Sequence, residues 1–143
     1  MEPYTWKNEL NTNIQELDDQ HRHCFDIINR LRASIGTSAE KDVIIDNFSE
    51  LTGYMKAHFA TEEKLMSKYH YPYLEKHKEL HGFFTQKIME LYHESVYGKK
   101  DISKPLMDTL EQWIEDHIMI EDMKYIKYIQ KTKTFNKKVK SDS

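Results

Sequence analysis

Apolar residues recur every three to four positions along most of this chain, the period of one face of a helix. The first such stripe runs from about Ile14 to Ile35 and holds Leu17, Cys24, Phe25, Ile28, Leu31 and Ile35. Gly36 suits a helix C-terminal cap, and Thr37-Ser38-Ala39-Glu40 has the form of a capping box. The second stripe, in a helix from about Ser38 to Lys68, has the cleanest register. It places Ile44, Phe48, Leu51, Met55, His58, Glu62, Leu65 and Tyr69 on one seam. His70-Tyr71-Pro72 breaks that pattern, because proline disfavours a helical residue before it. A third helix follows from about Pro72 to Tyr97, with Leu74, His77, His81, Phe84, Ile88 and Leu91 inward. Gly98 ends it, and Ser103 is the expected N-cap of a fourth helix reaching about Gln130. That helix carries Leu106, Leu110, Trp113, Ile114, His117 and Ile118 on its stripe.

Three short connections between helices of this length make neighbours antiparallel. The expected fold is therefore all-α, an up-down-up-down four-helix bundle preceded by an extended N-terminal arm. Residues 1–130 form the predicted domain and 131–143 a basic, mobile tail, with five lysines against one aspartate. Few glycines and prolines, and no alternating Val/Ile/Thr-rich segments, argue against sheet.

Composition narrows the setting. The 143 residues suffice for one core, and no apolar run approaches the roughly 20 residues of a spanning helix. The first residues lack a basic segment followed by an apolar one, so no secretory signal is expected. A lone cysteine, Cys24, precludes an intrachain disulfide and agrees with a reducing compartment. The expectation is a cytoplasmic protein that spans no membrane. A net charge of −3 argues against nucleic acid as a partner.

The informative residues are polar ones on the apolar seams, since burying a polar group without a partner is costly. His58 and Glu62 form HxxxE on the second helix, and His77 and His81 form HxxxH on the third. A spacing of four stacks two side chains one turn apart, where imidazole nitrogens and carboxylate oxygens can converge on one ion. His21 interrupts the first stripe and His117 the fourth. A lone core histidine is usually just a hydrogen-bonded residue, but a polar interruption at core register on all four helices points to a metal centre. Five histidines with two carboxylates exceed the needs of one ion, and zinc would be satisfied by four ligands. Two ions are thus expected, and mixed imidazole and carboxylate donors suit iron, while spacing alone leaves manganese and cobalt open. The second carboxylate is ambiguous. Glu121 lies four residues after His117 and Asp122 five, and in a regular α-helix five residues rotate a side chain about 140° away.

These residues resemble the hemerythrin family, in particular its single-domain bacterial members, over about Tyr4 to Ile129. The resemblance is carried by Tyr4, Trp6, Leu10, Ile14, Leu17, Asp18, Gln20, His21 and Phe25, then by HFxxEE (His58 to Glu63), HxxxH (His77, His81) and HIxxxD (His117, Ile118, Asp122). It implies that His77, His81 and His117 bind one iron and His21 and His58 the other. Glu62 and Asp122 would bridge them together with an oxo or hydroxo group, so the resemblance selects Asp122 over Glu121. A bulge or an offset of the helix could supply the missing rotation. The iron with two histidines keeps an open position, where dioxygen would bind by taking two electrons from the iron pair.

Phe59, Trp113, Ile114 and Ile118 flank ligands and are expected to wall the oxygen pocket, besides packing the core. Cys24 stands where the family usually has leucine, which makes the pocket roomier and adds a thiol. Tyr4 and Tyr125 fall where the family has tyrosines near the irons, and His23, His70 and His93 match no ligand position. The function implied is reversible dioxygen binding for storage, delivery or scavenging, without catalysis. An oxidase or peroxidase using the same irons, or an oxygen or redox sensor, is the alternative.

Overall fold

A computed structural model describes residues 3–142, with side chains described through Lys133. The bundle expected from the sequence is present. Its helices are α1 (Gln15–Ser34), α2 (Glu40–Lys68), α3 (Leu74–Val96) and a fourth rod of three parts. These parts are α4 (Ser103–Gln112), a π-helical stretch (Trp113–Glu121) and α5 (Asp122–Asp142). The last runs beyond Gln130, where the apolar pattern places the helix end. Side chains of the basic segment after Lys133 lie outside the described residues. No described helix is long and apolar enough to cross a membrane.

The N-terminal arm, with one 3-10 turn at Asn8–Leu10, lies along α1. Asn29 clamps the Tyr4 backbone by accepting from its N–H and donating to its carbonyl, both at 2.8 Å. The Tyr4 and Trp6 rings pack on Phe25. Asp18, buried at the start of α1, accepts from the Thr12 backbone N–H and hydroxyl at 3.0 and 2.9 Å. That pairing satisfies a carboxylate which would otherwise be costly to bury.

The connections follow the sequence signals with local corrections. Gly36 sits at φ 82°, in the left-handed region that glycine tolerates best. Thr37 and Glu40 make only a loosened capping box. The Thr37 hydroxyl oxygen accepts from Ala39, and the Glu40 carboxylate accepts from Gly36, each at 3.3 Å. Glu40 also accepts from the Ser103 hydroxyl at 2.6 Å, tying the α1–α2 turn to the start of α4. Ser103 is therefore not the N-cap but the first helical residue, and Asp101 accepts its backbone N–H. Ile35, assigned to the α1 stripe, is half exposed beyond the helix end. A Gly36→Ala change meets no neighbouring atom, so its cost is backbone strain alone. It should lower stability by about 1 kcal/mol, seen as a reduced urea midpoint at unchanged m-value.

The interior is layered along the bundle axis. One apolar cluster gathers Cys24, Phe25, Ile28, Met55, Phe84 and Trp113 with their neighbours. A second, smaller cluster gathers Leu17, Met66, Tyr125, Ile126 and Ile129. On each rod the chain passes from one cluster to the other through the polar residues singled out above. The seven candidate ligands thus form a buried polar layer between two dry ones.

Candidate metal centre

Every helix contributes to this layer, and the local geometry of each explains which atoms meet. His58 and Glu62 stack on α2, and their Nε2 and Oε1 atoms are 3.0 Å apart. His77 and His81 stack on α3, their rings 4.6 Å apart and perpendicular. His21 comes from α1 and His117 from the π-helical stretch. All six of these, and Asp122, are 3% exposed or less.

The π-helical stretch resolves the ambiguity between Glu121 and Asp122. The Asp122 backbone N–H donates to the His117 carbonyl, five residues back, where an α-helix would use residue 118. One extra residue per hydrogen-bonded loop brings positions 117 and 122 onto one face. Asp122 is fully buried beside His117, whereas Glu121 turns outward and pairs with Lys124 at 2.9 Å. A trace of this slip exists in the sequence. Inward positions run Leu110, Trp113, His117 and then Asp122, Tyr125, Ile129, one residue late for an unbroken α-helix.

The donor atoms separate into two sets that share both carboxylates. One set is Glu62, His77, His81, His117 and Asp122; the other is His21, His58, Glu62 and Asp122. Within each, one donor atom per residue lies within 4.8 Å of all the others. Asp122 divides its oxygens between the sets. Oδ1 is 3.0 Å from Nε2 of both His77 and His117, and Oδ2 is 3.2 Å from Nε2 of His21. Glu62 Oε1 lies 3.0 Å from His58 and 3.1 Å from His81. Two donors about 2.1 Å from one first-row cation, at right angles, are themselves about 3.0 Å apart.

Satisfaction of hydrogen bonds tells the same story. Nε2 of His58, His77 and His117, Oε2 of Glu62 and Oδ1 of Asp122 are buried and make no well-formed hydrogen bond. Such a group of orphans at one point is costly unless something else is bound there. A cation accepting their lone pairs removes that cost, so the residues fit a metal centre.

The charge balance without metal is distinctive. Burial disfavours a charged His58, but Glu62 and Asp122 outweigh it and carry its pKa up to about 10. The same competition carries His77 to about 9. Burial and mutual repulsion oppose ionisation of Glu62, yet His58 and His77 hold its pKa well below the usual carboxylate range. His117, His21 and His58 do the same for Asp122 against its burial. Without a cation, His58 and His77 thus favour their protonated forms beside the two carboxylates, and a bound cation takes the place of those protons.

Residues around the ligands set their orientation, and several escaped the sequence reading. His58 Nδ1 is 2.6 Å from Gln20 Oε1, and His81 Nδ1 is 2.9 Å from Glu63 Oε2. An Nδ1–H donated to these acceptors leaves Nε2 as the free lone pair facing the centre. Both orienting residues adjoin a ligand in sequence, Gln20 before His21 and Glu63 after Glu62, which is the signal that could have found them. Tyr54 was also missed. Its ring stacks on His58 at 5.0 Å, and its oxygen accepts from Trp113 Nε1 at 3.1 Å.

Of the five residues expected to wall the pocket, all are buried in the larger apolar cluster. Phe59 stacks on His81 at 3.9 Å and Trp113 on His117 at 3.7 Å, so both rings support the three-histidine side. Cys24 lies by Tyr54, and burial pushes its thiol pKa up to about 12. Tyr125 is in place, its buried hydroxyl turned toward Glu62 without ordinary hydrogen-bond geometry. Tyr4 is not. Its hydroxyl donates to Glu115 on the fourth rod at 2.7 Å, while Asn29 holds its backbone against α1. His23, His70 and His93 are exposed, and His70 sits at φ 54° in the α2–α3 turn.

Residues 12–129 match the family model of the hemerythrin HHE cation binding domain. The chain belongs to the hemerythrin family. Bacteriohemerythrin of Stenotrophomonas maltophilia is 32% identical over 120 residues, covering 84% of this chain and 77% of that protein. Bacteriohemerythrin of Pseudomonas aeruginosa is 32% identical over 121 residues, covering 85% and 78%. A hemerythrin-like protein of Naegleria gruberi is 28% identical over 123 residues, covering 86% and 91%. Family and geometry agree on a metal-binding hemerythrin domain with a buried His/Glu/Asp cluster that could hold a cation.

Proposed function

We propose that this hemerythrin domain binds dioxygen reversibly at two irons held by His21, His58, Glu62, His77, His81, His117 and Asp122. The observation that carries this reading is the asymmetry of the donor sets: three histidines in one, two in the other, both carboxylates common to both. When bound, the iron pair would supply the two electrons and the open coordination position that dioxygen needs. The protein's part is to hold Nε2 atoms inward through Gln20 and Glu63, and to keep water and protons away. The larger apolar cluster, with Phe59, Trp113, Ile114 and Ile118, supplies that dryness. A histidine-rich donor set also leaves the centre more positive than a carboxylate-rich one. That favours release of dioxygen over oxidative attack on other molecules.

The test is iron content per chain with visible spectra recorded reduced, oxygenated and deoxygenated again. Two irons and repeated cycling without loss support carriage. Consumption of many equivalents of oxygen per chain would replace this reading with an oxidase or peroxidase.

Cys24 tunes the two-histidine side in this proposal. Held protonated by burial, the thiol is a poor nucleophile and acts as a small apolar group with a weak donor. Leucine at this position fills more of the space by His21 and Tyr54. Cys24→Leu should slow oxidation of the oxygenated form, at a packing cost of about 1–3 kcal/mol. Cys24→Val, closer in size, separates loss of the thiol from gain of volume. Unchanged or faster autoxidation in both variants would show that the thiol does not destabilise the oxygenated state.

A further inference from the structure

A groove of about 560 Å³ runs along α3 and α5 on the three-histidine side of the centre. Its floor includes His77, and its walls carry Lys76, Lys124, Lys127 and Lys131 with Tyr71, Tyr73 and Tyr128. Among the described residues, the one carboxylate lining it is Glu121, already paired with Lys124. The groove is thus locally positive on a chain whose net charge is −3. Lys131 opens the basic segment that the sequence left without a role.

We propose that this groove docks an acidic one-electron carrier protein, which restores the irons to the ferrous state after they oxidise. The inference rests on the iron-pair reading above. Four observations favour such a partner. Rings in contact link the groove to the centre: Tyr73 meets Tyr71 at 5.8 Å, Tyr71 meets Tyr125, buried outside the groove lining, at 6.2 Å, and Tyr125 meets His77 at 5.4 Å. Tyr73 is 63% exposed and, with Tyr71 and Tyr128, presents aromatic surface along the groove. Tyrosines ringed by cations suit a small, transient, electrostatically steered interface, the class to which redox encounters belong. Finally, the groove faces the donor set already complete with three histidines. It is placed for contact with a ligand's outer edge rather than for delivery of dioxygen to the open side. Two successive encounters balance the chemistry, each oxidising one carrier by one electron and reducing one iron.

A purified plant-type ferredoxin, acidic and carrying one electron, is the probe, and cytochrome c is the basic control. Binding to the iron-loaded protein is measured by calorimetry at several salt concentrations, and re-reduction by stopped flow. Lys127→Glu/Lys131→Glu should weaken ferredoxin binding by roughly tenfold or more at low salt and slow re-reduction in proportion. Reversing Lys99 and Lys100, which line a separate groove beside the α3–α4 loop, should change neither. Oxygen cycling after chemical reduction with dithionite should be unaffected by either pair. Absence of ferredoxin binding, equal binding of cytochrome c, or equal effects of the two lysine pairs would overturn the docking site. Failure of the dithionite-reduced protein to cycle would instead overturn the oxygen-binding reading.

Discussion

Asp122→Ala should abolish binding of the metal pair, while Glu121→Ala leaves metal content unchanged. The two residues are adjacent, both acidic and both on the fourth rod, so the contrast isolates geometry. Asp122 divides its two oxygens between His77 and His117 on one side and His21 on the other. Alanine removes a shared donor from both sets at once, so neither ion should be retained. It also leaves buried histidines without their anion in the metal-free protein. Loss of one partner from such a buried array costs about 3–5 kcal/mol. Asp122→Asn keeps the shape and one neutral oxygen donor, and separates folding from binding. Glu121→Ala removes only a surface pair with Lys124, which water and salt already screen. The measurement is iron per chain after anaerobic reconstitution, with circular dichroism to confirm the fold. Equal metal loss in both variants would show that the π-helical register does not select the ligand.

That contrast also marks how far the sequence could be read. Helix number, order and approximate bounds followed from apolar spacing, because each rod buries one face and exposes the other. Six inward donors followed from the same register, since His21, His58, Glu62, His77, His81 and His117 fall where Leu or Ile would otherwise sit. Asp122 did not, because a side-chain period does not report which carbonyl a backbone N–H selects. The family resemblance named it, and the one-residue slip between His117 and Tyr125 is its trace in the apolar pattern. Gln20 and Glu63 were hidden for a different reason. A polar residue at the rim of a core looks like any solvated position until the ring nitrogen it meets is known. Tyr4 failed in the opposite sense. Its place in the family motif suggested the metal layer, whereas Asn29, Phe25 and Glu115 hold it between α1 and the fourth rod.

Metal uptake should release at least two protons per ion pair near neutral pH, with affinity rising about a hundredfold per pH unit. His58 and His77 titrate near 10 and 9 in the metal-free protein, so both are imidazolium at pH 7. Each must surrender its Nε2 proton before that atom can donate to a cation. Glu62 and Asp122 are already ionised and contribute none. The slope should therefore fall to one proton between pH 9 and 10 and vanish above. The same groups set the stability of the metal-free form. The two histidines are raised above their ordinary 6.5, so their contribution is complete below that pH and lost as pH climbs through 9 to 10. The two carboxylates are depressed from 4.5 and 3.8, so theirs is present above those values and lost as pH falls. Metal-free protein should accordingly be most stable between about pH 4.5 and 6.5, where it binds metal less well than at neutral or higher pH. Anaerobic ferrous titration in weak buffer with a pH indicator reads the protons directly, and urea melts of the metal-free protein across pH read the stability. Release of fewer than one proton per pair at pH 7 would mean that the layer is not held together by shared protons. The two optima would then have no reason to lie apart.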